Sequence, residues 1–397
     1  MKLNEPNLFI EINNYEILFL AVDISSEDKF NLIIKEEVPI QGIQNKKITD
    51  LQLFYNTIKK NIYSLEQKIN FVFKEIILVI NNFDYSFINL TGYKNLNASQ
   101  LGKENVTYIL NSLKAKISET ESNKTILHIF NTNYFLDKKN IENIPIGLFG
   151  DFYSHELSFC LINNNDLNNL QNIFKKCNLR VKKIILKNFI DGANIIQKNK
   201  ENTFFKIKID KTYTQIFFFE NSALKFSQEF SYGTNIIIND ISKITALKKE
   251  VIENILQSLE FKKDKKNNEL IEKKFFEDKN FRNIKKNLIL EVARARIKEL
   301  SETILLKNIN ISNTLKKNVP IFLTLSSKSN VKYLEDSFDF YFSNKNNLNL
   351  KFVNDFSPEI LYESANQIVK YGWNKEAIPV TQNKHSIITR IFKSFFG

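Results

Sequence analysis

The order of predicted secondary structure restricts this chain to few folds, because one pattern occurs twice. The first part begins with strands and continues with a helix and a buried strand, at residues 8–22, 31–38, 51–67 and 71–80. Strands return later and are again followed by helices and a short strand, at residues 203–209, 213–220, 223–230, 235–259, 288–305 and 320–325. The chain is therefore predicted to have a duplicated α/β fold.

Between these two parts the pattern changes, which predicts an inserted subdomain at residues 81–161. It contains a helix at 106–117, strands at 125–130 and 159–162, and a loop marked by Pro145, Gly147 and Gly150. A helix at 166–177, a strand at 181–186 and a loop near Gly192 are predicted to follow, and the last core helix is predicted at 357–371.

Composition favours a globular protein of a reducing compartment. Of the 397 residues, 43% are hydrophobic, and the two cysteines, Cys160 and Cys177, form no paired motif. The N-terminus does not resemble a signal peptide, and no apolar run reaches the ~18 residues of a membrane-spanning helix. The net charge of +12 fits nucleic acid or an anionic membrane. The densest basic run, residues 262–266, lacks a nucleic-acid motif and is interpreted as a solvated loop, so no nucleic-acid partner is expected.

The last residues of the sequence have the pattern of an amphipathic helix. At ~100° per residue, large apolar side chains occupy one side and small or cationic side chains the other. Such a helix either packs on its own domain or lies in a membrane interface. Residues 374–384 contain Pro379 and are predicted to be a tether, which favours the membrane. The residues expected to contact lipid are Ile387, Ile388, Arg390, Ile391, Phe392, Lys393, Phe395 and Phe396.

Several stretches resemble one family when taken together. The most specific are Leu127-His128-Ile129, Tyr134-Phe135-Leu136-Asp137 and the run 144–150, supported by 41–50, 177–181, 222–241, 295–300 and 362–372. With the amphipathic end, they resemble the bacterial cell-division protein FtsA, a member of the actin-like ATPase fold. The resemblance covers nearly the whole chain. It implies a two-lobed, RNase H-like duplicated actin-like fold with an inserted subdomain 1C and a C-terminal amphipathic helix.

The same resemblance implies the subdomain boundaries. Subdomain 1A would comprise residues 1–80, 162–195 and 357–372, and subdomain 1C residues 81–161. Subdomain 2A would comprise residues 196–240 and 306–356, and subdomain 2B residues 241–305. A linker at 373–384 and a membrane-targeting helix at 385–397 would complete the chain.

The nucleotide motifs of actin-like proteins are degenerate in this sequence. Those proteins hold ATP with two glycine-rich hairpins, because the backbone must approach phosphate closely. The first hairpin here has no glycine and has Glu11 in place of the aspartate, and the second has Lys208 and Gln215 in place of its two aspartates. ATP and Mg²⁺ binding is therefore expected to be weak or lost, although Lys208 or Lys211 could instead pair with phosphate. The candidate nucleotide-binding residues are Asn13, Lys208, Lys211, Thr212, Gln215, Glu253 and Ser326.

Other chemistries find little support in the sequence. The three histidines, His128, His155 and His385, lack the spacing of metal ligands and are interpreted as ordinary structural or surface residues. Neither cysteine lies in a motif that would activate it, so both are interpreted as inert thiols. No catalytic residue, metal site or confident cofactor is therefore predicted, and the chain is not expected to be an enzyme.

The resemblance implies a cell-division adaptor on the cytoplasmic face of the inner membrane, at the division septum. The tail of the filament protein FtsZ would bind subdomain 2B, and subdomain 1C would mediate self-association and contacts with later division proteins. An anionic membrane would bind the C-terminal helix. Two alternatives remain at this stage: an active actin-like ATPase with an unusual site, and a relative from pilus assembly.

Overall fold

A computed structural model describes residues 6–24, 30–81, 83–258, 269–276, 283–315, 319–326, 334–343 and 348–379. The strands, in chain order, are β1 (Asn7–Ile12), β2 (Glu16–Ile24), β3 (Phe30–Pro39), β4 (Ile43–Gln44), β5 (Lys47–Ile48), β6 (Glu75–Ile80), β7 (Tyr85–Gln100), β8 (Lys124–Leu136), β9 (Lys139–Ile141), β10 (Phe149–Asn163), β11 (Arg180–Leu186), β12 (Phe204–Ile209), β13 (Thr214–Glu220), β14 (Ala223–Phe230), β15 (Ile321–Leu325), β16 (Leu350–Phe352) and β17 (Glu376–Pro379).

The helices interrupt these strands in the α/β order that the sequence predicts. They are α1 (Leu51–Ile69), α2 (Lys103–Thr120), α3 (Asn164–Lys176), α4 (Lys187–Asn199), α5 (Asn235–Thr245), α6 (Lys249–Ser258), α7 (Lys286–Ser301), α8 (Glu335–Phe342) and α9 (Pro358–Tyr371).

The described chain forms two compact units. Of the described residues, those within 6–202, 219–226 and 356–379 form the first unit, and those within 203–218 and 227–355 form the second. In the first unit a five-stranded sheet has the order β11-β6-β1-β2-β3, with β1, β6 and β11 parallel and β1, β2 and β3 antiparallel. Helices α3 and α4 pack against β11, and α4 also contacts α9. The carboxyl ends of the three parallel strands consequently meet at one edge of this sheet.

Helix α1 shows why the sequence folds as it does locally. It begins after Asp50, whose carboxylate accepts a hydrogen bond from the backbone N–H of Leu53 at 2.8 Å. It ends at Asn70, which adopts the left-handed conformation with φ of 53°. Its buried side chains recur with helical spacing and form the core face of the helix, at Phe54, Ile58, Ile62 and Leu65.

The inserted region forms its own sheet with the order β17-β8-β10-β7, and β9 pairs with β8. Helix α2 packs on one face of this sheet, where Gly92 lets the backbone of β7 approach the side chain of Ile109. The strands are much longer than expected. Strand β7 was not predicted, and β8 and β10 each contain one of the two short predicted strands.

The second unit is built around a sheet with the order β14-β13-β12-β15-β16, in which β12, β15 and β16 are parallel. Helices α5, α6, α7 and α8 pack on one another. The predicted helix 235–259 is interrupted at Ala246, which has a φ of 55° and separates α5 from α6.

Two further expectations are wrong. Residues near Gly192 are not a loop but lie inside α4, where the absence of a side chain lets the helix pack against the ring of Phe219. Part of the predicted tether is strand β17, which pairs antiparallel with β8. The predicted amphipathic helix 385–397 lies outside the described residues.

Candidate functional site

The first candidate hairpin joins β1 to β2 and places one carboxylate in the core. The backbone N–H of Asn13 closes the turn on the carbonyl oxygen of Glu16 at 3.0 Å. Glu11 is only 1% exposed and lies near the carboxyl end of β1. Its carboxylate accepts hydrogen bonds from the Lys187 ammonium and the Tyr362 hydroxyl, and Asn13 also bonds to it. This carboxylate therefore has a cation of the chain itself as its partner.

The charges around Glu11 shift two pKa values in opposite directions. Burial alone raises the pKa of Glu11, but the Lys187 charge and the hydrogen bonds outweigh it and hold that pKa below the ordinary value of 4.5. Burial and the adjacent Glu11 charge raise the pKa of the Tyr362 hydroxyl. Glu11 is consequently an anion inside the protein, and Tyr362 is a neutral donor to it.

The second candidate hairpin, between β12 and β13, is closed by contacts of its own backbone. The N–H of Asp210 donates to the carbonyl of Tyr213 at 2.9 Å. The carbonyls of Asp210 and Lys211 accept hydrogen bonds from the N–H groups of Thr234 and Asn235 at 2.8 and 2.9 Å. These two donors lie at the beginning of α5, so they bind the hairpin of the chain itself.

Polar residues that replace the expected aspartates of this hairpin also have partners. The Lys208 ammonium lies 2.9 Å from the Asp355 carboxylate, and the Gln215 amide donates to Glu229 at 2.9 Å. Lys211 is half-buried and Thr212 is exposed at the tip of the turn. Side chains therefore occupy positions where the family has glycine.

The remaining candidates lie on two further elements of the second unit. Ser326 follows β15 and is 6% exposed, and its N–H donates to the carbonyl of Ile209 at 3.0 Å. Glu253 lies half-buried on α6, and Leu256, three residues later, is completely buried. The structure thus brings Ser326 to the end of β12 near Lys208, and it places Asn13 in the other unit.

The two ion pairs occupy equivalent positions in the two sheets. Lys187 directly follows β11 and Glu11 lies near the end of β1, and these strands belong to one parallel set. Lys208 lies near the end of β12, and Asp355 shortly follows the parallel strand β16. In open α/β sheets, this carboxyl edge is where ligands usually bind.

A second buried charge cluster was not expected from the sequence. The Glu376 carboxylate on β17 accepts from His128 Nδ1 at 2.6 Å and from Lys183 Nζ at 3.0 Å. Burial raises the pKa of Glu376, but Lys183 and His128 overcome this effect and lower it to about 2. One carboxylate thereby connects β17 with β8 and β11.

A second histidine, His155, and the two cysteines have structural surroundings, whereas His385 lies outside the described residues. His155 is buried and lies 2.9 Å from the Asn131 side-chain oxygen, and burial lowers its pKa to about 3. Burial raises the pKa of Cys160, and it raises that of Cys177 to about 11. Across the described ranges, no group of three or more His, Cys, Asp or Glu residues is arranged to hold a metal ion. Among the same residues, no helix is both long and apolar enough to cross a membrane.

Comparison with known proteins gives one consistent result. The cell division protein FtsA of Buchnera aphidicola (subsp. Acyrthosiphon pisum) is 21% identical over 402 residues, which covers 97% of this chain and 95% of that protein. FtsA of Escherichia coli (strain K12) is 19% identical over 235 residues, 59% of this chain and 55% of that protein. The chain is a divergent relative of FtsA. No protein-family model matches it.

A solved structure supports the fold in the same way. The PilM-PilN type IV pilus biogenesis complex contains a chain that superposes with a TM-score of 0.54 and 11% identity, covering 92% of this chain and 96% of that one. At this identity the likeness shows the fold alone. The architecture is the actin-like ATPase fold, as the sequence predicted.

Proposed function

We propose that this chain is a cell-division adaptor that anchors FtsZ filaments to the cytoplasmic face of the inner membrane at the division septum, and that it does so without hydrolysing ATP. The nearly full-length similarity to proteins named for cell division supports the biological process. The ion pair that Glu11 forms with Lys187 is the observation that favours an adaptor over an ATPase.

The residues present do not fit a magnesium nucleotide. A Mg²⁺ site requires available carboxylate oxygens, whereas the oxygens of Glu11 bind Lys187 and Tyr362, and Lys208 replaces an aspartate. A phosphate site requires backbone N–H groups that face the ligand. The N–H groups of Thr234 and Asn235 instead bind the hairpin carbonyls. An active ATPase with an unusual site is therefore the less supported alternative.

The membrane contact is assigned to the C-terminal segment on the basis of its sequence. Six large apolar side chains, each half buried in lipid, would contribute about 1 kcal/mol apiece. Arg390 and Lys393 would each add about 1 kcal/mol on an anionic surface. The entropy of binding and of helix formation opposes much of this gain. One tail therefore binds reversibly, and self-associated protomers bind firmly through avidity.

The filament contact is assigned to subdomain 2B, residues 241–305. Described parts of this region expose apolar side chains, of which Ile244 is 58% exposed, Leu270 45% and Leu288 37%. An FtsZ tail that combines apolar and acidic residues would complement such a surface in a chain of net charge +12. Subdomain 1C, residues 81–161, is proposed to mediate self-association and contacts with later division proteins.

Capture of an FtsZ tail peptide by the purified full chain tests the filament contact. We expect saturable binding that weakens when Ile244→Glu and Leu288→Glu are introduced together, because both side chains are exposed in the proposed surface. Exposed Tyr63→Glu and Val72→Glu, in the other unit, form the matched control. Failure of the unmodified chain to bind the peptide would refute the division adaptor and would favour the pilus alternative.

Sedimentation with anionic vesicles tests the membrane contact. Phe392→Glu with Phe395→Glu places two charges on the apolar side of the segment, so we expect release from the vesicles. Thr389→Glu with Ser394→Glu adds the same charge on the polar side and is the matched control. Equal sedimentation of the Phe392 and Phe395 double variant and the unmodified chain would refute the tail as the anchor.

A further inference from the structure

The sheet of the inserted region exposes aromatic side chains on the face opposite α2. Ser154 of β10 pairs with Phe135 of β8 and with Tyr93 of β7, so these two aromatic residues lie on one face with Phe152. The rings of Tyr93 and Phe152 stack with their centroids 5.8 Å apart and their planes at 24°. We name Tyr93, Phe135 and Phe152 the outer aromatic face.

Solvent reaches this face in the described structure. Tyr93 is 66% exposed and Phe152 is 37% exposed, whereas Tyr153, which points to the opposite side of the sheet, is completely buried beneath α2. Contiguous exposed aromatic side chains indicate a contact surface more often than scattered ones do. The outer aromatic face is therefore a candidate contact surface.

The register of the sheet defines how far the C-terminal segment can reach. The last described residue, Pro379, pairs with His128 of β8, seven residues before Phe135. At about 3.3 Å per residue along a strand and about 4.8 Å between strands, the outer aromatic face lies ~27 Å from Pro379. Residues 380–386 can span ~24 Å, and the helix predicted beyond them adds ~15 Å. Strand β17 runs antiparallel to β8, so the chain leaves Pro379 in the direction away from Phe135 and must turn back. A tight turn uses about 7 Å of the combined length, so the end of the segment still reaches the face.

Charge also favours this occupant. Residues 377–397 contain Lys384, Arg390 and Lys393 and no acidic residue. Asp151 is exposed beside Phe152, and the Asp137 carboxylate accepts hydrogen bonds from the N–H groups of both Asp151 and Phe152 at 2.8 Å. A cationic amphipathic helix thus finds apolar rings with two carboxylates beside them.

We propose that the outer aromatic face binds the C-terminal segment of the same chain, residues 386–396, when no membrane is present. The proposal rests on the assignment of that segment as the membrane anchor. As the predicted amphipathic helix, the segment would present the same six apolar side chains to either surface, so it could not occupy both at once. Docking on the sheet therefore competes with membrane binding and lowers the apparent affinity for lipid by the fraction of chains that are docked.

Hydroxyl-radical footprinting of the full chain without lipid tests the docking directly. We expect Tyr93 and Phe152 to be labelled about threefold more slowly in the unmodified chain than in the Phe392→Glu, Phe395→Glu variant, corresponding to docking of about two thirds of the chains. Tyr63, on α1, is the internal reference. Equal labelling refutes the proposal, and so does protection that disappears on tenfold dilution, because a second copy would then be the occupant.

Vesicle binding provides the second test, in which a rise or a fall in vesicle affinity distinguishes the outcomes. We expect Tyr93→Ser with Phe152→Ser to bind anionic vesicles about threefold more tightly, because the competing site is removed. Tyr63→Ser with Tyr108→Ser, which removes exposed aromatics elsewhere, is the control. Unchanged binding refutes the competition, and weaker binding refutes it in favour of a face that contacts lipid itself. If no version of the chain sediments, the membrane anchor fails, while the footprinting result still decides the docking.

Discussion

Replacement of Lys187 by methionine tests whether the Glu11 pair is a structural substitute for a ligand. The change keeps much of the side-chain volume and leaves the Glu11 carboxylate buried without its cation. Breaking a buried pair in this way costs about 3–5 kcal/mol, and the lower end applies here because the Lys187 side chain is 18% exposed. The free energy of unfolding of the first unit should therefore fall by about 3 kcal/mol.

Fluorescence of the single tryptophan provides the measurement. Trp373 is 9% exposed and belongs to the first unit, so its emission reports the unfolding of that unit in urea. With a slope of about 2–3 kcal/mol per molar urea, the midpoint should fall by about 1 M. The double variant Glu11→Gln with Lys187→Met removes both charges and should recover part of the loss, since no buried charge then lacks a partner.

The pH dependence of this loss distinguishes charge from packing. The unmodified Glu11 has a lowered pKa, so its contribution is present above pH 4.5 and disappears as the pH falls through the folded pKa. Without Lys187, burial raises the pKa of Glu11, and the variant gains stability as the pH falls from about 7 towards 5. The difference between the two proteins should narrow over that range. A difference that is the same at both pH values would refute the electrostatic explanation.

Three further predictions concern the site and the first unit. Calorimetric titration with Mg-ATP should give no micromolar binding, because Lys208 and the hairpin backbone have internal partners, and a micromolar isotherm would contradict this. Glu376→Gln should destabilise the first unit by about 3 kcal/mol at pH 7, since Lys183 then lacks a counter-charge in the core, and Trp373 emission should reveal it. Gly192→Ala should lower the free energy of unfolding of the first unit by about 1–3 kcal/mol, because the added methyl group overlaps the ring of Phe219. Full stability of the Gly192 variant would show that α4 can shift away from that ring.

Local patterns predicted most of the fold, and long-range contacts account for the misses. The helical spacing of Phe54, Ile58, Ile62 and Leu65 predicted α1 to within two residues. Gly192 suggested a loop because glycine is a weak helix former, and only the approach of Phe219 explains its place in α4. Strand β17 was missed because Pro379 looks like a breaker, although an edge strand tolerates proline.

The candidate site was predicted only in part. The replaced residues of the hairpins, such as Lys208, were visible in the sequence, whereas their partners were not. Lys187 could have been found, because it directly follows a strand parallel to the one that carries Glu11. Tyr362 and Asp355 lie 351 and 147 residues from their partners, and no local pattern connects such positions.

Strand β17 also determines how the protein would respond to mechanical force. A pull on the chain at residue 380 is applied at the end of a four-residue edge strand, whose short ladder with β8 offers few hydrogen bonds. Resistance then depends on the anchors behind the ladder, which are the Glu376 carboxylate and the Trp373 indole that donates to the Ser222 carbonyl at 2.8 Å. If residues 386–396 bind a membrane as proposed, these two side chains would transfer its load into the core of the first unit.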